Sequence, residues 1–179
     1  MSGLSDIFNK YDARGMTRLH TAAENNDTDQ IRRLINAGAD PNLGIQPQSL
    51  AAKLVFHTPY VVGMSPLHIA CVHGNLDAVK TLLRKGAHVL KTDMSQKTPL
   101  DYAVDKRDYY AEKQETLEKS FMKRKTAAQK AGDQVRLYDD VIRHMLKNGG
   151  RTHFFAIPEK FSELMHAAPP RMPRRHGPR

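Results

Sequence analysis

The chain has 179 residues, 40% hydrophobic and 26% charged, a globular composition and not that of a disordered chain. A single cysteine excludes a disulfide framework and a cysteine-rich zinc module, and no apolar run nears the ~20 residues of a bilayer span. The net charge of +9 invites a nucleic-acid reading, but residues 1–105 carry +1, 106–135 carry +3, 136–168 carry +1 and 169–179 carry +4, so the excess sits mainly in one internal segment and the extreme C-terminus.

The first residues, Met1 to Phe8, have no basic start and no apolar h-region. They do not read as a secretory signal, and the chain reads as a soluble protein of a reducing, intracellular compartment. Leu4, Ile7, Phe8 and Tyr11 fall at helical spacing and predict a capping helix within 1–14. Next comes Gly15-Met16-Thr17-Arg18-Leu19-His20-Thr21-Ala22-Ala23, then Ile31, Leu34 and Ile35, then Gly38. The same order returns as Gly63-Met64-Ser65-Pro66-Leu67-His68-Ile69-Ala70-Cys71, then Val79, Leu82 and Leu83, then Gly86. It returns again as Thr98-Pro99-Leu100-Asp101-Tyr102-Ala103-Val104, then Ile142, Met145 and Leu146, then Gly149.

Each block predicts two helices. Thr17, Ser65 and Thr98 suit a helix N-cap, and Pro66 and Pro99 suit the first helical position. Each glycine suits the left-handed residue that closes the second helix. Neither helix of such a pair buries its apolar face alone, so the pairs must stack.

Between the blocks lie two insertions. Residues 43–59 precede the second block, with a short helix predicted over 48–55. Residues 106–135 split the third block. Tyr110, Leu117, Phe121 and Ala128 form a helical stripe, which predicts a first helix running to about residue 130. A turn at Ala131-Gly132-Asp133 and a second helix over 134–148 complete an extended hairpin, with Lys123-Arg124-Lys125 toward its tip. Phe154, Phe155, Ile157, Phe161, Leu164 and Met165 predict a C-terminal cap over 153–168. Residues 169–179 are a Pro/Arg tail that cannot build a core. Pro170, Pro173 and Arg175 fit a polyproline ligand pattern that arises often by chance.

Leu67 and Leu100 are 33 residues apart, and Leu19 and Leu67 are 48 apart, which is 33 plus 15. A 33-residue unit with Thr-Pro-Leu-His-x-Ala is the ankyrin signature. The chain resembles the ankyrin-repeat family over about 12–152, with repeats at 12–42, 60–92 and 93–152. The resemblance implies an all-α solenoid domain over 15–152, assigns His20 and His68 to structural hydrogen bonds, and implies non-catalytic protein recognition on a concave face. Carried over by alignment, the contact positions are Ala13, Arg14, Met16, Glu24 and Asn25 in repeat one. In repeat two they are Val61, Val62, Met64, Val72 and His73, and in repeat three Met94, Ser95, Lys97, Asp105 and Lys106. Met16 and Met64 share one slot and are expected to expose two adaptable apolar side chains. Asn42 lies in the loop where some members are hydroxylated on Asn, with Pro41 in place of the usual aliphatic residue.

No nucleophile–base set, zinc-protease motif or phosphate loop is present in the sequence, so no enzyme and no cofactor is expected. His68, Cys71 and His73 are close in sequence but lack a fourth ligand. Nucleic acid is the rival partner class, through Lys119, Lys123, Arg124, Lys125, Arg171, Arg174 and Arg175. Zero Trp and a nearly neutral repeat region argue against it. The expected partner is a protein, with the chain a cytoplasmic monomer. Two further readings are a bacterial effector acting in a host cell and a small regulatory subunit using the hairpin.

Overall fold

The computed structural model describes residues 8–47, 60–119, 125–153 and 156–161. Among these residues six helices follow in order: α1 (Arg18–Glu24), α2 (Thr28–Asn36), α3 (Pro66–His73), α4 (Leu76–Arg84), α5 (Pro99–Lys119) and α6 (Lys125–Lys147). A 3-10 turn, Glu159–Phe161, is the last described element. The first helices of each pair stack as α1–α3–α5 and the second as α2–α4–α6. No helix among the described residues is long and apolar enough to cross a membrane.

The helix ends form where the repeat pattern puts them. Thr17 and Ser65 are N-caps in capping boxes closed by His20 and His68, and Pro66 stands at the start of α3. Gly38, Gly86 and Gly149 have φ of 104°, 91° and 84°, the left-handed region that glycine enters without a Cβ clash. The core runs through all three layers: Leu19, Ile31, Leu67, Val79, Leu82, Leu100, Ile142 and Met145 are buried. Each such side chain contributes on the order of 1.5–3 kcal/mol of hydrophobic stabilisation. Phe161 joins the same core, and Arg143 and Lys160 lie over its ring. Phe8 and Ile157 pack against that core as well.

Two expectations on the hairpin are corrected. The first helix ends at Lys119, not near residue 130, and the second begins at Lys125, not 134. The expected turn at 131–133 is helical. Gly132 does not break α6; a Cβ there would meet the Gln114 carboxamide at 3.1 Å. A glycine inside a helix costs about 1 kcal/mol against alanine, and here it lets α6 lie close against α5. The small residues Ala128 and Ala131 are buried on the same helix. The expected helix over 48–55, most of the N-terminal capping helix, Phe154, Phe155, Leu164, Met165 and the tail lie outside the described residues.

Candidate protein-recognition surface

The loops that precede α1, α3 and α5 lie side by side as three fingers. Backbone bonds tie them together. Met94 N donates to Val62 O at 3.0 Å, Ile45 N to Met64 O at 2.8 Å, and Gln46 N to Gly15 O at 2.9 Å. The repeat register aligns Asp12, Tyr60 and Asp93 across the fingers. Asp12 Oδ1 accepts from the backbone N–H of Arg14 and Met16, both at 2.9 Å. Asp93 Oδ1 accepts from Ser95 and Lys97 at 2.8 and 3.1 Å. One carboxylate therefore shapes each of the two outer fingers in the same way.

The middle finger has Tyr60 at that position, and its hydroxyl does something different. It donates to Glu24 Oε1 at 2.6 Å and lies 2.7 Å from His73 Nε2. Arg14 Nη1 stands 3.6 Å from Glu24 Oε2. Tyr60, Glu24, His73 and Arg14 thus form one polar cluster where fingers one and two meet the ends of α1 and α3. Burial, with the adjacent Glu24 carboxylate, pushes the Tyr60 phenol well above its usual range, so it stays a neutral donor. In repeat three the Tyr102 hydroxyl donates to Asp93 Oδ2, the Lys97 ammonium lies 5.3 Å from the Tyr102 ring centre, and the phenol is again pushed up, first by burial. Periodicity did not single out Tyr60, Asp93 and Tyr102. Alignment of the fingers on Asp12 is the signal that finds Asp93.

Met16 and Met64 are corrected. Each is 1% exposed and packs with Ile45 and Ile69 in a small second core beneath the fingers. The slot faces the stacked neighbouring loop, because each finger lies on the next, so the shared position is structural. Val61 and Val72 pack partly against this cluster. Met94, at the tip of finger three, is 73% exposed. Ala13, Asn25, His73 and Ser95 are exposed, and Arg14, Glu24, Val62, Lys97, Asp105 and Lys106 are half-buried.

The slot held by His20, His68 and Asp101 ties each repeat to the segment that follows it. His20 Nδ1 accepts from Thr17 N–H at 3.1 Å, and its Nε2 lies 2.9 Å from Met64 O. His68 repeats the pattern on Ser65 and Lys97 O, at 3.0 and 3.2 Å. Asp101 Oδ2 accepts from Thr98 N–H, and its Oδ1 accepts from His153 N–H, both at 2.8 Å. Cys71 is fully buried and burial pushes its thiol far up, which makes it an inert core residue. Among the described residues no cluster of His, Cys, Asp and Glu could hold a metal ion.

Of the basic set, Lys119 pairs with Glu115 on an exposed helix face. The side chains of Lys123, Arg124, Lys125, Arg171, Arg174 and Arg175 lie outside the described residues. Asn42 links repeat one to repeat two, its Nδ2 donating to Gly86 O at 3.2 Å and its Oδ1 accepting from His88 N at 2.7 Å.

A family model described as ankyrin repeats (3 copies) matches residues 19–113, just over half of the chain. The tyrosine-protein kinase Shark of Drosophila melanogaster is 34% identical over 120 residues, covering 55% of this chain and 13% of that protein. The tyrosine-protein kinase HTK16 of Hydra vulgaris is 28% identical over 129 residues, covering 60% of this chain and 17% of its own. The chain spans less than a fifth of either relative's length.

Proposed function

Because this chain belongs to the ankyrin-repeat family, a family of protein–protein interaction modules, we propose that it is a non-catalytic recognition module holding a partner protein along its fingers and first helices. The observation that carries this reading is Met94. It is a large apolar side chain, 73% exposed, on a finger whose backbone is pinned by Asp93 and by Val62. An adaptable apolar contact on a rigid mount suits a binding hot spot. Half-buried Val62 on the neighbouring finger extends the apolar strip. Arg14, Glu24, His73, Lys97 and Lys106 supply a polar rim. The chain works as a cytoplasmic monomer in this reading.

The test compares proteins captured from a cell extract by the wild-type chain and by the variant Met94→Glu with Lys106→Glu. Loss of a shared set of captured proteins, with an unchanged unfolding curve, is the expected result. An unchanged set would overturn the concave-face assignment and move attention to the insertions.

A further inference from the structure

The opposite face of the solenoid, made of the second helices, carries a repeated pattern of charge. Asp29, Asp77 and Asp140 occupy one register position in the three repeats, and Arg32, Lys80 and Arg143 occupy the position three residues on. Each acid meets its own cation: Asp29 with Arg32 at 2.5 Å, Asp77 with Lys80 at 3.6 Å, and Asp140 with Arg143 at 2.6 Å. These pairs form a ladder that is locally neutral.

One turn further on, the balance fails. Arg84 closes α4 and Lys147 closes α6. Their separation of 63 residues is that of Gly86 and Gly149, so they hold one register position on packed neighbours. Helices packed in this way lie about 8–10 Å apart. Among the described residues Arg84 donates only to Lys80 O and Thr81 Oγ1, at 3.3 and 3.4 Å. Thr81 shares its register with His144, which sets the guanidinium beside that half-buried imidazole. Among the described residues neither Arg84 nor Lys147 has an ion-pair partner. Burial and then repulsion from Lys80, Lys147 and Arg84 hold the His144 ring below its ordinary range.

A cation at a helix C-terminus complements the macrodipole, and that accounts for one charge on each helix. It does not account for two loaded ends side by side with a third basic group one turn back on α6. We infer that the stripe formed by Arg84, His144 and Lys147, edged by Lys80, is a second docking surface for an extended acidic segment of a partner protein. The neighbouring carboxylates select the occupant. Asp77 and Asp140, side by side at one register position, border the stripe on its N-terminal side, so a broad polyanion such as a duplex or a membrane plane would meet carboxylates along with the cations. A single extended acidic chain laid across the C-terminal ends of α4 and α6, from Arg84 to Lys147, stays clear of them.

The experiment titrates the full chain with a synthetic peptide of about ten glutamates, at low and at physiological salt, since such binding weakens as charges are screened. The His144 ring signals and calorimetry are the readouts. Binding at low salt that moves the His144 signals, and that weakens at least about ten-fold in Arg84→Gln with Lys147→Gln, is expected. Arg84→Lys keeps the charge and should keep the binding, which separates a lost site from a damaged helix end. Met94→Glu should leave this binding untouched, so failure here and failure of the finger surface are told apart. Absence of binding at low salt, or undiminished binding by the double variant, would overturn the assignment. So would tighter, variant-sensitive binding of duplex DNA or anionic vesicles.

Discussion

The Nε2 atom of His20 lies 2.9 Å from the carbonyl oxygen of Met64, so the imidazole of repeat one is bolted to the backbone of repeat two. Thr17 N–H donates to Nδ1 of the same ring, so the proton of the neutral ring must sit on Nε2 and donate to that carbonyl. His68 makes the corresponding pair of bonds to Ser65 and Lys97. Protonating either ring would point an N–H at an N–H inside a dry core.

This arrangement predicts acid sensitivity of a particular shape. Burial lowers His20 and His68 from 6.5 to about 4 in the folded chain. Unfolded, both titrate near 6.5, so the unfolded state takes up protons first as pH falls. The contribution of the neutral rings is full above about pH 6.5 and declines from there toward pH 4. Between pH 7 and pH 5 the loss is on the order of 2 kcal/mol per histidine. Urea unfolding at the two pH values measures the loss. Nitrogen-15 shifts of the two rings check its origin, because both should keep the neutral Nε2–H form at pH 5. A His20 or His68 ring that protonates near 6.5 in the folded protein would refute this.

The slot shared by Met16 and Met64 gives a second prediction. Both side chains are sealed with Ile45 and Ile69, so Met16→Glu or Met64→Glu places a carboxylate in an apolar pocket. Such burial costs several kcal/mol or forces the group to stay protonated. Either variant should lose most of its stability. Met16→Ala should lose about 2–5 kcal/mol through the cavity it leaves. Met94→Glu, at the open finger tip, should stay within about 0.5 kcal/mol of wild type. Denaturant midpoints decide the matter, and a stable, folded Met64→Glu would contradict the buried cluster.

The same pair of methionines marks how far the sequence could be read. Helix starts at Ser65 and Pro66, helix stops at Gly38, Gly86 and Gly149, and the core lines of α2, α4 and α6 follow from local chemistry at a fixed period. That chemistry is legible in a string of residues. The direction faced by Met16 is set by the neighbouring finger that lies on it, a contact 48 residues away in sequence. Gly132 misleads for a related reason: its propensity marks a turn, while the approach of Gln114 from α5 requires a helix with no side chain there. Tyr60 escaped notice because its partners Glu24 and His73 belong to two different helices.

The last prediction concerns the third finger. Gly15, Gly63 and Gln96 share one register position, and all three have a positive φ, of 73°, 90° and 60°. At Gly15 a Cβ would stand 2.3 Å from Gln46 O, and at Gly63 it would stand 3.1 Å from Met94 N. In both cases the following loop lies against the glycine. Among the described residues no further finger lies on finger three. The Gln96 carbonyl instead lies 3.1 Å from His153 Nδ1, and its side chain is exposed, so a residue other than glycine fits there at the cost of backbone strain alone. Left-handed backbone costs a non-glycine residue about 1–2 kcal/mol, while glycine returns about 0.4–1 kcal/mol of freedom to the unfolded chain. Gln96→Gly should therefore stabilise the protein by about 0.5 kcal/mol, the difference of these two effects. Gly15→Ala carries both the strain and the clash with a backbone oxygen, and should destabilise it by more than about 2 kcal/mol. Opposite signs for two substitutions at one register position, read from denaturant midpoints on the same day's solutions, would show that the end of the array relaxes the demand for glycine. Destabilisation by Gln96→Gly as large as that by Gly15→Ala would rule this account out.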